Sequence, residues 1–121
     1  MVGSKIVILV ADDEDLVRNM IAAIVQSDGY HVLIASGAAE ALDLSRRYNG
    51  HIDLLISDIL MPGMNGIELA QLLSQERPKT KVLLMSGNTE QPIPRPFRFL
   101  AKPFTVEALH QTMAHLLPLT G

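Results

Sequence analysis

Five short apolar runs mark the chain, with helically spaced stretches between or after most of them. Lys5 to Ala11 (KIVILVA) is apolar almost throughout and rich in β-branched residues, which predicts a strand buried on both faces. Val17, Met20, Ile21, Ile24 and Val25 then recur at i, i+3, i+4, i+7 and i+8, one face of a helix that Gly29 should stop. His31 to Ala35 predicts a second strand, and Ser36 is placed to cap the helix after it. Ala38, Ala41, Leu42 and Tyr48 mark the inner face of that helix, which ends near Asn49-Gly50. Asp53 to Asp58 predicts the third strand, closed by a Pro62-Gly63 turn. Asn65 caps a third helix bearing Ile67, Ala70, Leu72 and Leu73, and Pro78 closes it. Lys81 to Ser86 and Phe97 to Ala101 predict strands four and five. Thr105 caps a last helix with Val106, Leu109, Met113, Leu116 and Leu117 on one face, ended by Pro118.

Strands alternating with helices imply an α/β domain: a parallel sheet covered on both faces. Five strands suggest a flavodoxin-like, doubly wound order of 2-1-3-4-5. One link breaks the rhythm. Between Ser86 and Phe97 the chain carries Pro92, Pro94 and Pro96. Prolines two apart remove backbone donors and restrict the residues before them, so a regular helix over Glu90 to Pro96 is excluded. The fourth helix of the usual pattern should be shortened or absent.

Composition adds boundaries. At 121 residues the chain suits a single domain spanning 1–121, and its 48% hydrophobic content is enough for a core. A net charge of −3 leaves no basic footprint for direct nucleic-acid binding. The absence of cysteine removes disulfides and thiolate metal sites. No apolar run reaches membrane-spanning length, so no membrane partner and a cytoplasmic location are expected.

The polar residues that interrupt these runs fall in one kind of place. Asp12 and Asp13 follow strand one, Asp58 ends strand three, Ser86 ends strand four and Lys102 follows strand five. In open α/β sheets, ligands bind outside the carboxyl ends of the strands. Singly, each residue has a plain explanation: a helix-flanking acid, a turn aspartate, a turn serine or a solvated lysine. Jointly, the order 2-1-3-4-5 brings them together. Crowded carboxylates offer oxygen ligands for a hard cation such as Mg2+. Lys102 supplies a point charge for a phosphoryl group, Ser86 a hydroxyl, and Asp58 a carboxylate able to act as a nucleophile.

With these pieces in view, the chain resembles a response-regulator receiver domain of two-component signalling. The matching residues are Asp12-Asp13, the stretch from Asp58 through Met61-Pro62-Gly63 to Asn65-Gly66, Met85-Ser86-Gly87, and Lys102-Pro103-Phe104. The resemblance implies that Asp58 is the phosphoacceptor, receiving its group from a phosphohistidine on a sensor kinase or histidine phosphotransfer protein. It implies that Mg2+ is held by Asp13, Asp58 and the backbone carbonyl of Leu60, with Asp12 acting through water. It casts Ser86 and Lys102 as the groups that meet the phosphoryl oxygens, and Phe99, three residues before Lys102, as the switch aromatic. Such a domain is a signalling element rather than an enzyme, although it assists its own phosphorylation and dephosphorylation. Its output would be a protein-interaction surface read by a downstream protein. The shortened fourth link is similar to receivers of hybrid kinases or stand-alone receivers.

Other classes fit less well. A receiver-like interaction module that works without phosphate would not need Asp12, Asp13, Asp58, Ser86 and Lys102 together. An aspartate-nucleophile hydrolase would place a second aspartate where Leu60 stands. A flavin carrier would need a phosphate cradle, but the loop after strand one is acidic. The histidines at 31, 51, 110 and 115 are too scattered for a metal site.

Overall fold

The computed structural model describes residues 5–88 and 90–117. Five strands, β1 (Val7–Ala11), β2 (His31–Ala35), β3 (Leu54–Asp58), β4 (Lys81–Ser86) and β5 (Arg98–Ala101), form one parallel sheet in the order β2-β1-β3-β4-β5. Four helices accompany it: α1 (Asp15–Ser27), α2 (Ala38–Arg47), α3 (Gly66–Glu76) and α4 (Val106–Leu116). The expected class and strand order are both present. The strands begin one or two residues later than the apolar runs do at β1, β3 and β5.

Alternation along the strands divides the core into two layers. Val7, Leu9, Ala11, Leu55, Val82 and Leu84 pack under α2 and α3, whereas Ile8, Val10, Leu54, Ile56, Leu83 and Met85 pack under α1 and α4. This is the period of two that a pleated strand imposes, with both faces apolar because both are covered. The central strands β1 and β3 are wholly buried; β2, at an edge, is only partly so.

The helices follow the expected faces with local exceptions. Met20 is 47% exposed, and the inner face of α1 is carried by Ile21, Ala22 and Val25. Val106 is likewise 47% exposed, leaving Leu109 and Met113 as the buried anchors of α4. Leu69, absent from the sequence-based face, is fully buried in α3. Tyr48 lies just past α2 and packs on the α2/α3 layer as its C-cap residue.

Helix ends show why the chain turns where it does. Gly29 takes φ 90° after α1, the left-handed geometry that releases a helix. Asn65 and Glu68 form a capping box at α3, each side chain accepting from the other's backbone N–H at 2.9 and 3.0 Å. Thr105 caps α4 by accepting from the Ala108 N–H at 3.0 Å. Ser36 does not cap α2. Gly37 holds the N-cap position, and the Ser36 N–H and hydroxyl instead donate to the Glu40 carboxylate. Ser36 stands one residue too early, so the helical acid reaches back to it. Those bonds hold the Glu40 carboxyl below its ordinary pKa. At the other end of α2, Arg77 donates to the carbonyls of Ser45, Tyr48 and Gly50 and to the Ser45 hydroxyl, joining α2 to the end of α3. Pro118 lies outside the described residues; α4 ends at Leu116 with Leu117 as its C-cap.

Among the described residues, the link from β4 to β5 contains no helix. The expectation drawn from its three prolines therefore holds. In consequence the sheet carries two helices on each face, and the β5 side of the α2/α3 face is covered only by this crossover.

The start of α3 is fixed against the end of β3. A Cβ on Gly66 would lie 2.1 Å from the Asp58 carbonyl oxygen, a backbone atom that cannot swing away. Replacing a helical glycine by alanine ordinarily stabilises by about 0.5–1 kcal/mol. Here the sign reverses: Gly66→Ala is expected to destabilise by about 1–3 kcal/mol through overpacking. Asn65→Ala, which removes only the cap, should cost about 1 kcal/mol. Urea unfolding of the two variants measures both, and a Gly66→Ala protein as stable as the parent would contradict the close approach.

Candidate functional site

Each functional side chain stands where a strand runs out. Asp12 follows β1; its N–H still donates to the Ala35 carbonyl at 3.2 Å, extending the pairing with β2 by one residue. The side chain is fully buried. Its Oδ1 accepts from the Glu14 N–H at 2.9 Å, closing an Asx turn, and its carbonyl accepts from Arg18 Nη1 at 3.1 Å. This turn aims Oδ2 inward and folds Glu14 back over the sheet edge. Asp58 is the last residue of β3, with its side chain 7% exposed. Lys102 follows β5, and its N–H donates to the Ser86 carbonyl at 2.9 Å.

The Lys102 ammonium sits among three carboxylates: 3.3 Å from Asp12 Oδ2, 3.4 Å from Asp58 Oδ1 and 3.5 Å from Glu14 Oε1. The Asp12, Glu14 and Asp58 oxygens lie within 4.8 Å of one another. Burial pushes the Asp58 pKa up, Lys102 pulls it down, and Asp12 and Asp13 push it up again; the outcome is a raised value. Burial alone would lower the Lys102 pKa, but the charges on Asp12 and Asp58 outweigh it and raise the value, keeping the amine protonated. The site thus stores unneutralised negative charge around one cation.

A cavity of about 410 Å³ opens over this cluster. Asp13, Glu14, Asp58, Leu60, Ser86 and Lys102 line it. The Ser86 Oγ accepts from the Asn88 N–H at 3.0 Å, which leaves its hydroxyl proton to donate elsewhere. Leu60 is 78% exposed, an apolar side chain at the mouth of a polar cavity.

Most residues anticipated from the sequence meet here: Asp12, Asp13, Asp58, Leu60, Ser86 and Lys102 all border the cavity or its buried cluster. Asp13 and Glu14 are both exposed and both line the cavity, but it is Glu14 that brings a carboxylate oxygen to the cluster around Lys102. Phe99 does not line the cavity; it is half-buried in the α2/α3 layer, paired with Leu84 across β4 and β5. Two lining residues had no assigned role in the sequence. Glu14 was visible only as one acid in a run of four, since the Asx turn decides which acid faces inward. Gln91, from the crossover, carried no signal.

The carboxylate crowding has a cost that a neutral isostere removes. In Mg2+-free buffer at neutral pH, Asp58→Asn is expected to be more stable than the parent by on the order of 1 kcal/mol, the scale on which single substitutions act. Because the fold raises the Asp58 pKa, the cost is absent at pH below the ordinary aspartate value, where both folded and unfolded chains hold the proton. It appears as pH rises from that value through the raised folded one. Thermal unfolding of both proteins from acid to neutral pH reads this, and a gap that widens toward acid would refute it.

Comparison with known proteins gives a consistent picture. The family model of the response regulator receiver domain matches residues 8–114. The chain is 36% identical over 121 residues to the sensor kinase CckA of Brucella abortus, covering 95% of this chain but only 13% of that protein's length. It is 32% identical over 119 residues to the response regulator receiver protein CpdR of the same organism, covering 93% of this chain and 97% of CpdR. Among solved structures, the response regulator TrrA of Thermotoga maritima, in complex with Mg(2+)-BeF, superposes with a TM-score of 0.79 at 28% identity, covering 93% of this chain and 99% of that one. The architecture, the carboxylates gathered at the sheet edge and these matches lead to one assignment: the chain belongs to the response regulator receiver domain family of two-component systems.

Proposed function

We propose that residues 1–121 form a single receiver domain that accepts a phosphoryl group on Asp58 from the phosphohistidine of a sensor kinase or histidine phosphotransfer protein. The observation that carries this reading is the convergence of Asp12, Glu14, Asp58, Ser86 and Lys102 around one open cavity. The similarity to CckA and CpdR supports a histidine-kinase partner. Such a partner places the reaction in the cytoplasm. Among the described residues no helix is long and apolar enough to cross a membrane.

The donor set fits Mg2+. It consists of oxygens alone, holds several carboxylates within 4.8 Å and has a single lysine as counter-charge. Asp58, Asp13 and the Leu60 carbonyl would hold the ion, with Asp12 through water and Glu14 as a further acid at the same edge. Bound there, the ion would neutralise charge on the transferring phosphoryl oxygens. The remaining work belongs to the chain. Asp58 is fixed at the end of a fully buried strand, so its carboxylate is held in line for attack. As its oxygen bonds to phosphorus, the N–P bond of the partner's phosphohistidine breaks and the imidazole keeps the electron pair. Lys102 then turns from the carboxylates to the phosphoryl oxygens, and the Ser86 hydroxyl donates to another. The domain assists this transfer and the later hydrolysis, and its output is a changed surface. Phe99, three residues before Lys102 on β5, is placed to report the change to the α2/α3 face.

Incubation with acetyl phosphate followed by intact-mass measurement tests the reading. One Mg2+-dependent phosphoryl adduct is expected in the parent, with none in Asp58→Asn. Lys102→Ala should lose most of the adduct while remaining folded. A folded parent that acquires no adduct in Mg2+ would favour an interaction module that works without phosphate.

A further inference from the structure

The missing helix leaves a mark at the opposite end of the sheet from Asp58. Where β4 and β5 begin, α3, the crossover and the last turn of α4 enclose a groove of about 710 Å³. Val82, Phe97 and Leu116 supply apolar surface, and Lys81, Arg95 and Arg98 stand on the rim. Among the described residues, no carboxylate lines it. A smaller hollow of about 370 Å³ adjoins through Lys81 and Leu116 and adds Lys79. Its one acid, Asp53, already accepts from the Val7 N–H and faces His51 at 3.4 Å.

These cations differ from most others: Lys102 lies among carboxylates, Arg77 is spent on carbonyls, and only Lys5, at the start of the described chain, is likewise exposed without a carboxylate partner. Arg18, Arg46 and Arg47 each pair with a carboxylate, at 2.7, 2.8 and 2.8 Å. Among the described residues, Lys79, Lys81, Arg95 and Arg98 have no such partner, and all four are exposed. Four unpaired positive charges are thus gathered on one edge of a chain whose net charge is −3.

We propose that this groove docks a segment of a partner protein in which acidic side chains alternate with apolar ones. Charge complementarity selects the acids, which meet Lys79, Lys81, Arg95 and Arg98. The apolar floor selects the residues between them, as Val82, Phe97 and Leu116 offer nothing to a bare anion. A nucleic acid fits less well: among the described residues only Phe97 and His115 bring rings to the groove, on separate elements, and the net negative charge opposes a long polyanion. A second copy of this chain fits less well too: among the described residues, its exposed acids outside any ion pair or side-chain hydrogen bond, Asp13, Glu90 and Glu107, stand on three separate segments rather than alternating along one. The groove lies at the other end of β4 from the Asp58 edge, about 17 Å from Lys81 to Ser86 at about 3.3 Å per residue. Docking there leaves the phosphoryl site open to a kinase, and the proposal stands independently of phosphorylation.

The test uses the full chain and a short fluorescein-labelled peptide in which Glu and Asp alternate with Leu and Phe, read by anisotropy. Binding that weakens with salt is expected. It should fall about tenfold or more in the Arg95→Glu, Arg98→Glu double variant, the loss of roughly one or two charge contacts. Unchanged thermal unfolding shows that this variant is folded; should it not be, Lys81→Gln with Arg95→Gln serves instead. The proposal is overturned if the peptide does not bind, if a Gln/Asn version binds equally, or if the variants bind as the parent does. Tighter binding of a labelled DNA duplex would overturn it in favour of nucleic acid. Self-association in sedimentation velocity that the same variants abolish would overturn it in favour of a second copy.

Discussion

One electrostatic arrangement governs this molecule: three carboxylates and one ammonium held together at the end of a buried sheet. Asp12 and Asp58 are buried and repel at low dielectric, the exposed Glu14 adds to them from the solvent side, and Lys102 offsets only part of that repulsion. Such a cluster does not assemble by its own attraction. It persists because the strands that carry it are fixed by apolar packing on both faces, with Ile8, Leu9, Leu55, Ile56, Leu83 and Leu84 fully buried beneath it. The core supplies the stability, and the edge spends part of it on a site that is short of positive charge.

Local devices then set the geometry finely. The Asx turn at Asp12 presents one oxygen to the loop and the other to Lys102. The contact of Gly66 with the Asp58 carbonyl fixes the end of β3 against the beginning of α3. The capping box of Asn65 and Glu68 holds that same helix start. Asp58 is therefore held from the strand side and from the helix side, which is what in-line transfer to a carboxylate requires.

The crossover between β4 and β5 carries the individuality of this chain. Its prolines forbid a helix, and the chain instead runs from the site to the groove: Asn88 and Gln91 border the acidic cavity, while Arg95, Pro96 and Phe97 border the basic one. One short segment thus touches both surfaces. Where a fourth helix would lie against the α2/α3 face, this crossover lies instead, with Ile93 and Phe97 packed on the core.

Much of this was legible in the sequence, for identifiable reasons. Apolar runs such as Lys5 to Ala11 and Lys81 to Ser86 admit little besides buried parallel strands, and proline spacing alone ruled out a helix over the crossover. Strand ends reveal themselves where a polar residue stops an apolar run, so Asp12, Asp58 and Ser86 could be placed at one edge before any contact was known. Tertiary structure decided what depends on side-chain direction and on distant partners. Only the Asx turn distinguishes Glu14, whose carboxylate reaches the Lys102 ammonium, from Asp13, which lines the cavity without doing so. Only the way α1 and α4 are seated, with Ile21, Ala22 and Val25 and with Leu109 and Met113 turned inward, leaves Met20 and Val106 in solvent despite their helical spacing. Ser36 and Arg77 take partners that no local pattern encodes, one because Glu40 reaches back a turn, the other because α2 ends beside α3. The basic groove arises between residues from four separate segments, and its charges are neighbours only after folding. Periodicity is a local property and survives in the sequence; convergence is a property of the packed sheet, and the fold alone produces it.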